Sequence, residues 1–373
     1  MLMSTATPRA PAAPFAPSAA LDPAKIERFL GMVVTDGGAA FGTVLAAIGD
    51  RLGLYRAMAG AGALTPTQLA ERTGTRERYV REWLLQQAAG GYVTYDPATK
   101  AFALPDEHAA ALVDETAPYY VGGVFQIANA MFKAEARIAD DFRAGRGMSW
   151  GEHDHALFDG TERFFRAGYL GYLVDHWIPA LDGVAAKLAA GARVADVGCG
   201  HGASTIILAR AFPRSRFAGF DAHAPSVARA RQAAAEAGVA DRVTFEVARA
   251  DDFPAAGDDA GYALVAFFDC FHDLGDPTGA ARRARETLAP DGTVMMVEPM
   301  AGERVEDNLN PVGRFYAGAS VLCCTPNALA GGGPALGTVA SDAALGAAVA
   351  AGGLTRFRRA AETPMNRVFE ARR

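Results

Sequence analysis

The chain has 373 residues, half of them apolar and 21% charged, an ordinary globular composition with room for two cores. A formal net charge of −6 and a pI near 5.7 argue against a protein that lives on phosphate backbones. The four cysteines, Cys199, Cys270 and the neighbours Cys323 and Cys324, form no CxxC pair or disulfide framework, which suits a reducing cytoplasm.

The first stretch, 1–20, is rich in Ala and Pro, and its prolines interrupt any apolar segment a targeting signal would need. It reads as a disordered tail. No apolar run in the chain is expected to reach the length of a membrane span. Asp22 followed by Pro23 marks a helix start, and small and apolar residues then run to about Arg56. Small residues at helical spacing allow close helix packing, so this region is a candidate dimer interface. A membrane-surface helix would need a basic face, which is missing. Thr65 to Gly74 reads as a short capped helix, Thr75 to Ala89 as a second, and YVTYDPATKAFALP as a hairpin. Helix, turn, helix and hairpin over 21–110 make a winged helix. The second helix and its approach mix Arg72, Arg76, Arg78 and Arg81 with Glu71, Glu77 and Glu82. That leaves almost no positive field for a nucleic acid, so a dimerisation module is the better reading and a DNA-binding regulator the alternative.

From 111 to 185 the text turns aromatic, as a helical linker or substrate lid. Tyr119, Tyr120, Phe125, Tyr169, Tyr172 and His176 are expected to line a cleft between the two domains, where small-molecule sites often lie. Trp150, Phe158, Phe164 and Phe165 belong to the same aromatic stretch. His153 and His155 lack a supporting cluster, and no metal is expected.

The domain over 186–373 opens with the stretch on which the functional reading turns. Val194 to Val197 has strand character and ends in Gly198-Cys199-Gly200-His201-Gly202, after which Ala203 to Ala209 reads as a helix. A dinucleotide fingerprint wants G-x-G-x-x-G, whereas here the glycines run G-x-G-x-G, with Asp196 two residues ahead. That acid would repel a pyrophosphate but can hold the ammonium of an amino acid through water or backbone. The next strand, Arg216 to Phe220, ends at Asp221, about where a nucleoside-binding α/β unit places a carboxylate for ribose hydroxyls, with Ala222 beside it. Further strands are expected at 242–247, 263–268 and 293–297, with a turn over Leu288–Gly292 and a final pair at 355–360 and 366–371. His272 and Glu298 lie just past two strands that should be neighbours, where an open α/β sheet places its ligands.

The strand-acid-glycine loop and Asp221 resemble the cofactor site of class I S-adenosylmethionine-dependent methyltransferases. The run F-H-D-L-G-D-P, the later A-P-D-G-T and V-E-P and the preceding winged helix resemble metal-independent small-molecule O-methyltransferases, the actinobacterial winged-helix enzymes among them. The likeness covers about residues 25–373. It implies a Rossmann-like α/β fold, a seven-stranded sheet ending in an antiparallel hairpin. It implies S-adenosyl-L-methionine held by Asp196, Gly198, Gly200, Gly202, Asp221, Ala222 and Phe268. Ala250, Asp251 and Asp252 fall where that family serves the adenine, although Arg249 stands in place of the first acid. In that family the base is a histidine, matched by His272, and an acid orients it, matched by Glu298. The implied reaction is O-methylation of a small acceptor of aromatic or polyketide-like character by a homodimer in the cytoplasm. The same scaffold also serves C- or N-methylation or another use of the bound sulfonium. One departure is plain: the family's second acid, in a GxERT-like stretch, is replaced here by GGGPALGTVA.

Overall fold

A computed structural model of the chain describes residue 17 and residues 20–257 and 261–373. The tail expected over 1–20 therefore lies, but for residues 17 and 20, outside the described residues. The N-terminal part is helical. It comprises α1 (Pro23–Arg51), α2 (Leu54–Met58), α3 (Pro66–Thr73), α4 (Glu77–Ala89) and α5 (Asp106–Val113), with a small wing of β1 (Thr94–Asp96) and β2 (Ala101–Ala103). Thr65 caps α3 by taking the backbone N–H of Gln68, whose side chain returns to the Thr65 N–H, and Gly74 ends the helix at φ 66°. Leu54, Tyr55, Met58, Leu69, Trp83, Leu84 and Phe102 form the core of this unit. Each such large apolar side chain, fully buried, stabilises by about 1.5–3 kcal/mol.

One sequence expectation fails here. At 29 residues, α1 is long and apolar enough to cross a membrane by length and composition. Glycines and the charges of Lys25, Glu27, Arg28 and Asp36 divide the run in the text, but in one continuous helix they do not shorten it.

The middle section carries α6 (Gly122–Lys133), α7 (Glu135–Ala144) and α8 (His155–Gly168). The last runs on into a π-helical stretch, Tyr169–Trp177. Arg163 on α8 is the hub that fixes it. Its guanidinium donates to Asp50 of α1 at 2.8 Å, to Gln126 of α6 at 2.6 Å, to Glu115 at 2.8 Å and to the Tyr120 hydroxyl.

After α9 (Val184–Ala190) comes a single sheet built from β3 (Arg193–Val197), β4 (Arg216–Asp221), β5 (Val243–Val247), β6 (Tyr262–Phe268), β7 (Leu288–Pro299), β8 (Arg356–Glu362) and β9 (Asn366–Arg372). Its order is β5-β4-β3-β6-β7-β9-β8, with the first five parallel and the last two antiparallel. Helices α10 (Ala203–Ala211), α11 (Ala224–Glu236) and α12 (Pro277–Thr287) cross over between strands. Later come α13 (Pro311–Ala319), a π-helical turn at Ser320–Cys324, α14 (Thr325–Ala330) and α15 (Asp342–Ala351). Successive residues point to opposite faces, so Leu264, Ala266 and Phe268 of β6 enter one core while Val265 and Phe267 enter the other. The turn expected at Leu288–Gly292 is instead a register shift inside β7. Tyr262 pairs with Leu288, and the next partner of β6, Leu264, pairs with Thr293.

Candidate active site

The carboxyl ends of β3, β4 and β6 open into a cavity of about 470 Å³. At the end of β3 the chain turns through Gly198, Gly200 and Gly202, at φ 77°, 51° and 82°. These are left-handed conformations that a side chain resists. A Cβ on Gly198 would lie 2.6 Å from Cys270 Sγ, and one on Gly202 would lie 2.5 Å from Phe245 Cζ. Gly198 and Gly200 therefore bring bare backbone to the cavity wall, whereas Gly202 lies off the wall and lets α10 close onto the sheet.

Asp221, at the end of β4, accepts from the Gly200 N–H at 2.9 Å and the His223 N–H at 2.8 Å. Burial pushes its carboxyl up in spite of those two donors. It stands on the wall with Ala222, Ala248, Ala250 and Phe268. A carboxylate held rigidly beside side-chain-free backbone suits a nucleoside with vicinal hydroxyls, so the cavity fits S-adenosylmethionine at this end.

Other expected contacts are not on the wall. Asp196 is buried, and its Oδ2 takes the hydroxyls of Ser204 and Thr205, each at 2.6 Å. Through that oxygen it anchors the first turn of α10, while Oδ1 is buried with no hydrogen-bond partner, and burial pushes its pKa up to about 6. Asp251 is held by both arms of Arg249 at 2.9 Å, which turns it from the cavity. Asp252 is likewise not on the wall, and Ala248 and Ala250 occupy that place.

Of the six residues expected to line the cleft, only Tyr169 does. Tyr119 is exposed, and Tyr120 is drawn into the Arg163 hub. Phe125 belongs to the N-terminal core beside Tyr92, with ring centres 6.1 Å apart. Tyr172 stacks on Trp177 at 6.1 Å, and His176 is exposed. The wall is drawn instead from one stripe of α8 and its continuation: Phe158, Thr161, Glu162, Phe165 and Tyr169. That 3–4 spacing was present in the text and would have selected these residues over the tyrosine pair. Ser149, Trp150 and Gly151 cover the same side. The Trp150 N–H bonds Asn327 Oδ1 at 2.9 Å, and Asn327 Nδ2 reaches the Asp273 carbonyl at 3.1 Å.

His272 and Glu298 do meet. The β6–β7 pairing sets Phe268 beside Val297, so the short helical turn Phe271–Asp273 falls over Glu298. His272 Nδ1 lies 2.7 Å from Glu298 Oε2, and the Phe271 N–H bonds Oε1 at 3.1 Å. Both side chains are buried. Burial by itself would push the imidazole pKa down, but the Glu298 carboxylate overrides it and holds the value well above the usual one. Nε2 is buried with no hydrogen-bond partner. His272 stands just behind the wall that Cys270, Asp273 and Leu274 form. Asp273, whose pKa burial pushes up to about 7, and Cys324 each bring a metal-ligating atom within 4.8 Å of it. His153 and His155 join no such group among the described residues, and burial pushes the His153 pKa down.

Sequence reasoning also passed over Asp269, which follows β6. It has φ 52°, lies on the cavity wall, and accepts from Asn366 Nδ2 at 2.7 Å and the Tyr169 hydroxyl at 3.3 Å. Burial and then Glu298 push its carboxyl well above the usual range.

Comparison with known proteins agrees with this architecture. Residues 39–114 match the family described as Rv2258c-like winged HTH domain, and residues 188–330 match the family described as Methyltransferase domain. The chain is similar to 27-O-demethylrifamycin SV methyltransferase of Amycolatopsis mediterranei (strain S699), 34% identical over 109 residues. That stretch is 29% of this chain and 39% of the relative. Among solved structures it is similar to human N-acetylserotonin methyltransferase in complex with SAM, with a TM-score of 0.66 and 16% identity over 95% of this chain and 99% of that one. It is also similar to the mitomycin 7-O-methyltransferase MmcR, with a TM-score of 0.64 and 19% identity over 94% and 98%. At these identities the structural likeness establishes the fold.

Proposed function

We propose, for a chain that joins a winged helix-turn-helix domain to an S-adenosylmethionine-dependent methyltransferase domain, that it methylates a hydroxyl of a small acceptor with His272 as general base. The observation that carries this reading is the 2.7 Å contact of His272 Nδ1 with Glu298. An ionised carboxylate only accepts, so Nδ1 carries a proton, and in the neutral imidazole Nε2 is the nitrogen that keeps its lone pair. A phenolic acceptor, with a pKa of about 10, remains protonated at neutral pH and needs a base within reach. S-adenosylmethionine supplies an electrophilic methyl group, and the chain supplies alignment, dryness and a place for the proton. Asp221 and the glycine bend hold the cofactor, with Ala250 beside the adenine. Phe165, Tyr169 and Phe268 keep water from the transfer line. The acceptor approaches from the side of Asp273 and Asn327, and its hydroxyl proton passes to Nε2.

The names of the relatives, a rifamycin and a mitomycin methyltransferase, support an acceptor of aromatic or polyketide-like, natural-product character. The chain acts as a cytoplasmic homodimer joined through the 21–110 region, without nucleic acid, membrane or metal. Residues 111–185 form the lid and 186–373 the catalytic domain. In the test, His272→Ala loses about 10²–10⁴-fold in turnover while calorimetric affinity for S-adenosylmethionine holds. A variant that turns over at the parent rate would remove the base from this account.

A further inference from the structure

We infer that Asp269 is the counter-ion for the amino-acid end of the cofactor, holding its α-ammonium; this rests on the cofactor reading above and goes beyond it. Asp196, expected to do this, has its Oδ2 committed to Ser204 and Thr205 and is not on the cavity wall. Sheet order places the replacement. Strands β4, β3 and β6 are consecutive neighbours, with the ribose-type acid Asp221 at the end of β4 and the glycine bend at the end of β3. A nucleoside amino acid anchored at Asp221 and laid across the bend brings its amino-acid part to the end of β6. The residue found there is Asp269.

Three features mark Asp269 as built for a ligand. Its backbone lies at φ 52°, one of three described non-glycine residues with positive φ, and the only one of them on the cavity wall. Such strain of order 1–3 kcal/mol persists where the surroundings enforce it, most often at functional sites. Its carboxylate is fixed by donors from two distant elements, Asn366 of β9 and Tyr169 of the π-helical stretch. A carboxylate has about four lone-pair positions, so two remain for a ligand's N–H groups. The cavity wall around it is aromatic, with Phe268 and Tyr169 ring centres 5.3 Å apart and Phe165 stacked on Tyr169, a setting that favours a cation. A cation here also offsets the cost of burying the ionised carboxylate.

Asp269→Asn isolates the charge, because Asn keeps the shape and tolerates the left-handed backbone at least as well. The test is calorimetry of the full chain with three ligands. S-adenosylmethionine and S-adenosylhomocysteine both carry the ammonium, and methylthioadenosine carries none. The expected result is a loss of about tenfold to a hundredfold for the first two in the variant, the range of a charged hydrogen bond, with methylthioadenosine unmoved. Equal losses for all three would reduce Asp269 to a structural role, and no loss for any would end the proposal. A loss confined to S-adenosylmethionine would assign the acid to the sulfonium and overturn the ammonium contact. Failure of the unaltered chain to bind either amino-acid ligand would instead sink the cofactor reading itself.

Discussion

At the scale of single residues, the charge on Glu298 has a consequence for pH. Burial pushes the His272 pKa down and the carboxylate pushes it up by more, so the imidazole holds its proton to higher pH than a free one. In its proposed role as base His272 must be neutral, so turnover is expected to rise with pH through a limb above the ordinary histidine value of about 6.5. Glu298→Gln removes the charge that favours imidazolium, so the limb moves to lower pH and the plateau falls. A pH–rate profile of both proteins checks the shift, and an unmoved limb would detach it from His272. Asp196 carries a different expectation. Asp196→Ala leaves the Ser204 and Thr205 hydroxyls without their acceptor and costs about 2–4 kcal/mol of folding stability, read by urea denaturation. Cofactor affinity drops with it as the start of α10 loosens.

What could be read from the text divides at this scale by distance along the chain. Asp221 and the glycine bend are parts of one strand-turn-helix-strand unit, β3 to β4, so spacing alone pointed to both. The partners of Asp269 lie 97 and 100 residues away, on Asn366 and Tyr169. Its backbone strain also leaves no mark in the composition, and nothing local pointed to it.

At the scale of elements, periodicity fared well where one face is buried. The five parallel strands fell within a residue or two of expectation, apart from β7. There a Pro-Asp-Gly sequence that signals a turn is absorbed as an irregularity, because the flanking residues still pair with β6. The aromatic section shows the opposite case. Tyr119 and Tyr120 were grouped with Tyr169 by residue type, but of the three only Tyr169, on the stripe that starts at Phe158, faces the cavity. The terminal hairpin was legible as two strands, and its buried charge was not. Arg367 is fully buried on β9, bonding Asp342 at 2.7 Å and the carbonyls of Pro299 and Ala340 at 2.8 and 2.9 Å. Asp342 keeps its pair with Arg359 at 2.7 Å, so the loss falls on the Pro299 and Ala340 carbonyls left without their donor, and Arg367→Ala costs about 2–4 kcal/mol. A chemical denaturation midpoint within error of the parent would show that the hairpin is held by its ladder alone.

At the scale of the molecule, α1 carries an exposed apolar face. Ile26, Leu30, Val33, Phe41 and Val44 recur at three- and four-residue steps, up to one double step across Gly37, and all are exposed. A membrane and a second copy are two coverings such a helix could take. Its far end is committed to the protein, since Ala46, Ala47 and Gly49 are buried and Gly49 approaches Trp83 too closely for a side chain. Its middle is committed as well, through Asp36, which pairs with Arg314 at 2.8 Å. A helix immersed in lipid would have to take that acid with it, a cost of several kcal/mol. The winged helix has little free positive charge to offer a nucleic acid, because Arg78 and Arg81 of α4 are paired with Glu82 and Glu77. These commitments favour the homodimer proposed above, in which the covering is another copy of this chain with the two α1 helices packed against each other. Sedimentation equilibrium is expected to give twice the 39.0 kDa chain mass. Replacing Val33 and Phe41 together by Asp is expected to give the single mass with the cofactor site intact. Flotation with anionic vesicles is expected to leave the protein in the aqueous fraction. A monomeric parent, or one that rises with the vesicles, would assign the face to something other than its own twin.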